Sequence, residues 1–298
     1  MSRDATTASA DLPPVELSIE IFPPKTAEAR ERLMANLELF AAAGPRFISV
    51  TCGAGGSGED GTFQLATETA SRYAIPVAAH LTCAYASREA IDALVRRYWE
   101  QGVRRIVALR GDKPKGALHY QPRPDGYAYA NDLVAGLKAI APFDVSVGCY
   151  PETHPEAPDA DSDYRYLLRK IEAGADRLIT QYCFETDKIL RFRDRLVKDG
   201  VTVEFVPGIM PIHNFRQIKR FSAACGAGIP DWLEAMFEGV DEASPVHGMV
   251  AATVATEQCR RLAAEGLTRH HVYALNRAEL PMALVHLLRA SSRMPQAA

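Results

Sequence analysis

The chain has 298 residues, a net charge of −3, and 47% hydrophobic and 24% charged residues. This is the composition of a globular protein with one large domain or two ordinary ones. It gives no electrostatic case for binding nucleic acid or a membrane surface, and no apolar run approaches the roughly 20 residues needed to cross a bilayer.

Residues 1–14 are polar and lack the apolar stretch of a secretory signal, so they read as a disordered leader, with 15–298 as a single folded domain. Six cysteines, Cys52, Cys83, Cys149, Cys183, Cys225 and Cys259, show no CxxC and no metal-like Cys/His spacing. They read as reduced thiols, which implies a cytoplasmic protein without a structural metal.

Residues 17–22, LSIEIF, alternate as a strand and stop at Pro23-Pro24. Glu20 lies between Ile19 and Ile21, so it faces either solvent or an enclosed site. Thr26 caps a helix that carries Leu33, Leu37 and Phe40 and ends at Gly44-Pro45. Residues 46–51 form a second strand. The glycine-rich stretch 52–61 has neither a GK[ST] nor a dinucleotide fingerprint and reads as an active-site loop. Helix follows at 63–73, a third strand at 75–81 with His80 near its end, and an amphipathic helix at 87–100 that Gly102 breaks.

The fourth strand, 105–109, lies within RRIVALRGD, residues 104–112. It is apolar on both faces and then breaks at Arg110, Gly111 and Asp112. That pair of charges either meets a ligand at the strand's carboxyl end or forms a solvent ion pair in a turn. Beyond the loop at 112–124 come a helix at 130–139, a strand at 145–150 leading into PETHPEA, and a helix at 162–173. A sixth strand at 177–181, a helix at 187–198 and a seventh strand at 203–206 follow. Helices at 214–224, 231–238 and 244–265 precede the eighth strand, 271–275, and a last helix at 279–289.

Eight strands alternating with helices predict an α/β fold, a (β/α)8 TIM barrel in one domain. A doubly wound sheet is the alternative, but it would want an early glycine fingerprint that the sequence lacks. Polar residues gather at the predicted strand ends: Glu20, Thr51, His80, Arg110 with Asp112, Tyr150 with His154, Gln181 and Arg277. Each alone has an ordinary reading as a solvent-facing residue, a satisfied core histidine or a turn cap. A barrel brings them all to one mouth. The set holds two carboxylates but no metal ligands and no Ser/His/Asp order, which suits an organic cofactor that carries the chemistry while the protein moves protons. Glu20 is the general-acid candidate, because apolar neighbours would desolvate it and favour the protonated form. Arg169 and Lys170 either meet phosphates or form a solvated helix face.

Nine stretches, in order, carry a closer resemblance: LSIEIFPPKT (17–26), FISVTCGAGG (47–56), AAHLTC (78–83), RRIVALRGD (104–112), YANDLV (129–134), YPETHPEA (150–157), LLRKIEAGADRLITQ (167–181), PGIMPIHNF (207–215) and LNRAE (275–279). They resemble the short, catalytic-domain-only bacterial 5,10-methylenetetrahydrofolate reductases. The resemblance implies a barrel that binds FAD. NADH or NADPH would reduce the FAD, and the flavin would then reduce 5,10-methylenetetrahydrofolate to 5-methyltetrahydrofolate in a ping-pong sequence serving methionine synthesis. It implies Glu20 as general acid, Asp112 as a charge near flavin and pterin, and Gln181, Gln217, Phe221 and Arg277 as substrate contacts. FAD or nicotinamide contacts would come from Thr51, Cys52, Ala54, His80, Arg110, Gly111, Asp112, Ala130, Tyr150, His154, Ala157, Asp163, Tyr166, Arg169 and Lys170. Cys52 stands where bacterial members carry Tyr, and Tyr166 where they carry Asn. A homo-oligomer is common in the family. Three alternatives are a flavin-independent reductase with direct hydride transfer, another flavin barrel of the proline dehydrogenase kind, and a non-catalytic folate-binding subunit.

Overall fold

The computed structural model describes residues 13–52, 59–113, 116 and 119–291. Most of the leader expected over 1–14, the loop position Ala54 and the C-terminal seven residues lie outside this set.

The strands are β1 (Glu16–Ile21), β2 (Ile48–Val50), β3 (Val77–Thr82), β4 (Arg105–Leu109), β5 (Asp144–Cys149), β6 (Arg177–Thr180), β7 (Glu204–Val206), β8 (Gly208–Ile209) and β9 (Arg269–Tyr273). The helices are α1 (Ala27–Ala43), α2 (Glu59–Arg72), α3 (Arg88–Glu100), α4 (Ala130–Ile140), α5 (Ala160–Glu172), α6 (Thr186–Lys198), α7 (Phe215–Cys225), α8 (Asp231–Phe237), α9 (Pro245–Ala264) and α10 (Glu279–Ser291). All pairings are parallel, in the order β7-β6-β5-β4-β3-β2-β1-β9-β8.

The seventh expected strand stops at Pro207 in the sequence reading but continues beyond it. Pro207 has no N–H, so the ladder is interrupted there. β7 pairs with β6 on one side, and β8 pairs with β9 on the other. Pro207 O still accepts from His271 N at 2.8 Å. β7 and β8 are thus two halves of one strand, and they close an eight-stranded barrel. Helix α2 starts four residues earlier than expected, so residues 59–61 are helix and not loop. Among the described residues no helix is long and apolar enough to cross a membrane.

Alternation along the strands builds the layers. Ile19, Ile21, Val50, Ala79, Leu81, Ile106, Val145 and Val147 point outward into the main core beneath the helices. The inward face is stratified. Arg105, Asp144, Arg177, Glu204 and Arg269 form a charged floor joined by ion pairs. Phe47, Ala78, Val107, Ile179 and Val206 form a thin apolar layer above it. Polar residues, Glu20 and His80 among them, crown that layer at the carboxyl ends.

Candidate active site

The carboxyl ends of the strands open into a cavity of about 1520 Å³. A single small-molecule pocket is typically roughly 300–1,000 Å³, so this one has room for a large cofactor or for two ligands together. Of the residues expected from the sequence, Glu20, Thr51, Cys52, His80, Gly111, Asp112, Tyr150, Gln181 and Phe221 line it.

Glu20 sits on the inward face of β1, in register with Ser49 and Tyr273. Ile19 and Ile21 point to the opposite face, so they do not enclose the carboxylate as expected. Two imidazoles flank it instead. Glu20 Oε2 lies 3.4 Å from His80 Nε2 and 3.6 Å from His271 Nε2. Burial, with His271 nearby, pulls the His80 pKa down to about 4 against the opposing pull of Glu20, so His80 is neutral at physiological pH. Ser18 Oγ lies 2.7 Å from His271 Nδ1 and donates to His270 O at 3.3 Å. Ser18 thus anchors the ring through Nδ1, which turns Nε2 towards Glu20 and Ser49.

At the end of β4 the structure separates Arg110 from Asp112, so the two do not form the turn ion pair considered above. Asp112 lines the cavity. Arg110 pairs with Glu156 at 2.8 Å and lies over the ring of Tyr120. Gly111 between them has φ +91°, and an added Cβ would come within 3.1 Å of the Thr82 and Ala84 side chains. Only glycine adopts this turn without strain.

The loop 150–157 follows β5. Tyr150 and His154 rings meet edge to face at 4.6 Å. His154 N–H donates to Asp163 on α5, and His154 O accepts from Ala157 N–H. Thr153 has φ +91°, a strained conformation for a β-branched residue. Lys170 Nζ donates to Gly148 O at 2.5 Å, and burial holds the Lys170 pKa below its ordinary value. Lys170 is therefore not part of a solvated face. It borders, with Tyr150 and Asp163, a smaller cavity of about 90 Å³. Tyr166 and Arg169 lie exposed on α5, with the Arg169 guanidinium 5.6 Å from the Tyr166 ring centre. Ala130 opens α4.

Gln217 and Arg277 stand outside the cavity lining. Gln217 is in the first turn of α7, where its N–H donates to the Asn214 cap. Arg277 follows Asn276, whose amide group both accepts from Phe22 N–H and donates to Phe22 O, tying the end of β9 to the end of β1.

His271, Tyr273, Tyr182 and Cys225 are among the lining residues that escaped the sequence reading. The two-residue spacing of His271 and Tyr273 on a strand was the available signal for the first two. Thr51 Oγ1 and His80 Nε2 line the cavity, are buried and have no hydrogen-bond partner, so the protein presents polar atoms that a ligand would satisfy.

Fold and site together define a (β/α)8 barrel with a cavity for a large organic ligand at its carboxyl mouth. The sequence profile named methylenetetrahydrofolate reductase matches residues 8–289. Two proteins named 5,10-methylenetetrahydrofolate reductase are similar to this chain: that of Pectobacterium carotovorum is 42% identical and that of Escherichia coli K12 is 41% identical, each over 274 residues. In both cases the match covers 92% of this chain and 90% of the relative. The chain belongs to the methylenetetrahydrofolate reductase family. A solved structure, titled as an uncharacterized protein from Clostridium thermocellum that binds two copies of 5-methyl-5,6,7,8-tetrahydrofolic acid, superposes with a TM-score of 0.62 at 14% identity, covering 95% of this chain and 96% of that one. That likeness bears on the fold alone.

Proposed function

We propose that the protein reduces 5,10-methylenetetrahydrofolate to 5-methyltetrahydrofolate with electrons from NADH or NADPH, through FAD at the barrel mouth and in a ping-pong sequence, supplying methyl groups for methionine synthesis. Glu20 carries this reading: in a chain of this family, it lies on the cavity wall between two imidazoles.

The residues present fit FAD. The cavity volume, the orphaned Thr51 and His80 atoms and the glycine turn at 111 suit a large polar ligand approached closely by backbone. Thr51, Cys52, His80, Gly111, Asp112 and Tyr150 would hold its ring side. His154, Asp163 and Lys170 would hold the rest, joined by Ala130, Ala157, Tyr166 and Arg169 at the periphery. Arg110 would serve after exchanging Glu156 for the cofactor, or by keeping loop 150–157 in place. When bound, FAD supplies two-electron hydride chemistry.

The chain's own groups supply proton transfer and charge. The Glu20 carboxyl gives its proton to the folate nitrogen that leaves when the five-membered ring opens to an iminium ion. His271 Nε2 exchanges protons with Glu20, its ring held in place by Ser18. Asp112 places negative charge beside the cationic iminium. Gln181 orients whichever substrate occupies the mouth, Phe221 stacks on it, and Gln217 and Arg277 meet the folate's outer end. A cytoplasmic homo-oligomer belongs to the same reading. It is supported by six cysteines without a disulfide and by apolar side chains exposed on α8 and early α9, Trp232 and Met249 among them.

The test is the visible absorption spectrum of the purified protein under anaerobic conditions. A flavin band that bleaches with NADH or NADPH and returns with methylenetetrahydrofolate is expected. Turnover by a protein that carries no flavin and takes up none would establish direct hydride transfer instead. A flavin-free protein that binds folate without turnover would be a binding subunit.

A further inference from the structure

We propose that Glu152 is a positioning residue that fastens helix α7, the folate-side helix, to loop 150–157, the flavin-side loop, and that this fastening sets the affinity for the pterin substrate. The second half rests on the function proposed above. The first half stands on geometry alone.

The Glu152 carboxylate is mostly buried, and both of its oxygens are engaged. Oε2 accepts from the backbone N–H of Gly228 at 2.9 Å, and Oε1 accepts from Lys188 Nζ at 2.7 Å. The hydrogen bond to Glu152 holds the Lys188 pKa above its ordinary value. Gly228 is fitted to this contact: a Cβ there would stand 2.7 Å from Glu152 Oε1. Two residues earlier, Gly226 caps α7 in the left-handed conformation, and its missing Cβ would lie 3.2 Å from Pro155. Glu152 and Pro155 thus abut the turn that ends α7.

What this turn carries matters to the site. Phe221 lines the catalytic cavity one turn before Cys225, the last residue of α7. The Tyr182 hydroxyl braces the same turn through Ser222 Oγ at 3.1 Å and Cys225 Sγ at 3.3 Å. Glu152 itself borders a separate cavity, with Lys188 and Arg191, and not the catalytic one. Its effect therefore passes through α7. The strained Thr153 backbone next to it needs over-determining contacts, and Glu152 supplies two of them. Loop 150–157 and α7 behave as one clamped unit across the mouth.

Glu152→Ala removes the clamp from one side. Gly228→Ala pushes the flexible end of the Glu152 side chain away from the other. Each is expected to raise KM for methylenetetrahydrofolate about fivefold with kcat changed less than about twofold, the signature of binding lost equally in ground and transition states. NADH oxidation with a quinone acceptor, which needs no folate, changes less than the KM for methylenetetrahydrofolate. Gly228→Ala adds nothing in the Glu152→Ala background, because the displaced side chain is already gone. Glu152→Gln, which keeps an acceptor for the Gly228 N–H, retains most of the affinity. Hydrogen exchange over residues 222–229 of the flavin-free protein is faster in both alanine variants. Wild-type turnover with unchanged KM in the variants, or additive effects in the double variant, would overturn the proposal. Absence of wild-type turnover would instead sink the proposed reaction, and exchange at 222–229 then decides the clamp: unchanged exchange refutes it.

Discussion

Ser18 Oγ and His271 Nδ1 meet at 2.7 Å across the pairing of β1 with β9. The contact sets which nitrogen of His271 faces Glu20. Replacing His271 with Phe keeps the stacking against Phe47 but removes the nitrogen beside Glu20. The folate half-reaction is expected to slow at least about tenfold, while NADH-driven flavin reduction is unchanged. Stopped-flow absorbance of each half-reaction checks this, and equal slowing of both halves would contradict it.

Glu20→Gln keeps the shape of the side chain and loses the transferable proton. Folate reduction is expected to fall by about 10² to 10⁴ while folate binding survives. Equilibrium titration of the flavin spectrum with folate, set beside turnover, separates binding from chemistry.

Stability is expected to fall with acidification from pH 6.5 towards 4. Burial lowers the pKa values of His80, His213 and His270 from 6.5 to about 4. In that window the unfolded chain binds protons that the native protein refuses. Stability is therefore complete above pH 6.5 and is lost as pH drops, at about 1.4 kcal/mol per pH unit for each histidine. Thermal unfolding midpoints at pH 7.5, 6 and 5 measure the slope, and a flat profile would exclude it.

The floor of the barrel depends on Arg177. Its guanidinium is buried and bonds Asp144 at 2.7 Å and Glu204 at 2.6 Å. Burial raises the Glu204 pKa, but Arg46 and Arg177 outweigh that and hold it below the ordinary range. Arg177→Met leaves two carboxylates without this partner and is expected to cost about 3–5 kcal/mol. Urea unfolding reads the change.

Gly111→Ala puts a Cβ into a positive-φ turn pressed against Thr82 and Ala84. A loss of about 1–2 kcal/mol is expected, with reduced flavin retention. Bound flavin per chain after gel filtration is the measurement.

The strands were legible because parallel strands buried on both sides read as apolar runs, as IVAL does in β4. Glu20 stood out as a charge inside such a run. The second half of the seventh strand was hidden because Pro207-Gly208 has the chemistry of a turn, and only the ladder to β9 reveals strand there. His271 was hidden for a different reason. It follows His270, and the two point to opposite faces. His270 bonds Leu267 O, and His271 turns inward. Locally only the two-residue spacing to Tyr273 sets His271 apart, and register with β1 settles which face turns inward. Arg110 was legible as a charge at the end of β4 but its partner was not, because Glu156 lies on another loop. The contact from Glu152 to Gly228 spans 76 residues and joins two loops, which no periodicity encodes.

The pairing of β1 with β9 has a consequence for how the protein comes into being. Ser18 and His271 are separated by 253 residues, so Glu20 acquires its second imidazole neighbour only when the first and last strands zip together. Such distant closure is slow compared with local helix formation. A chain still emerging from the ribosome, or one truncated before β9, holds Glu20 and His80 but lacks the residue that completes the set. Under the reaction proposed above, competence for proton transfer is a late event in biogenesis, acquired at the moment the barrel shuts.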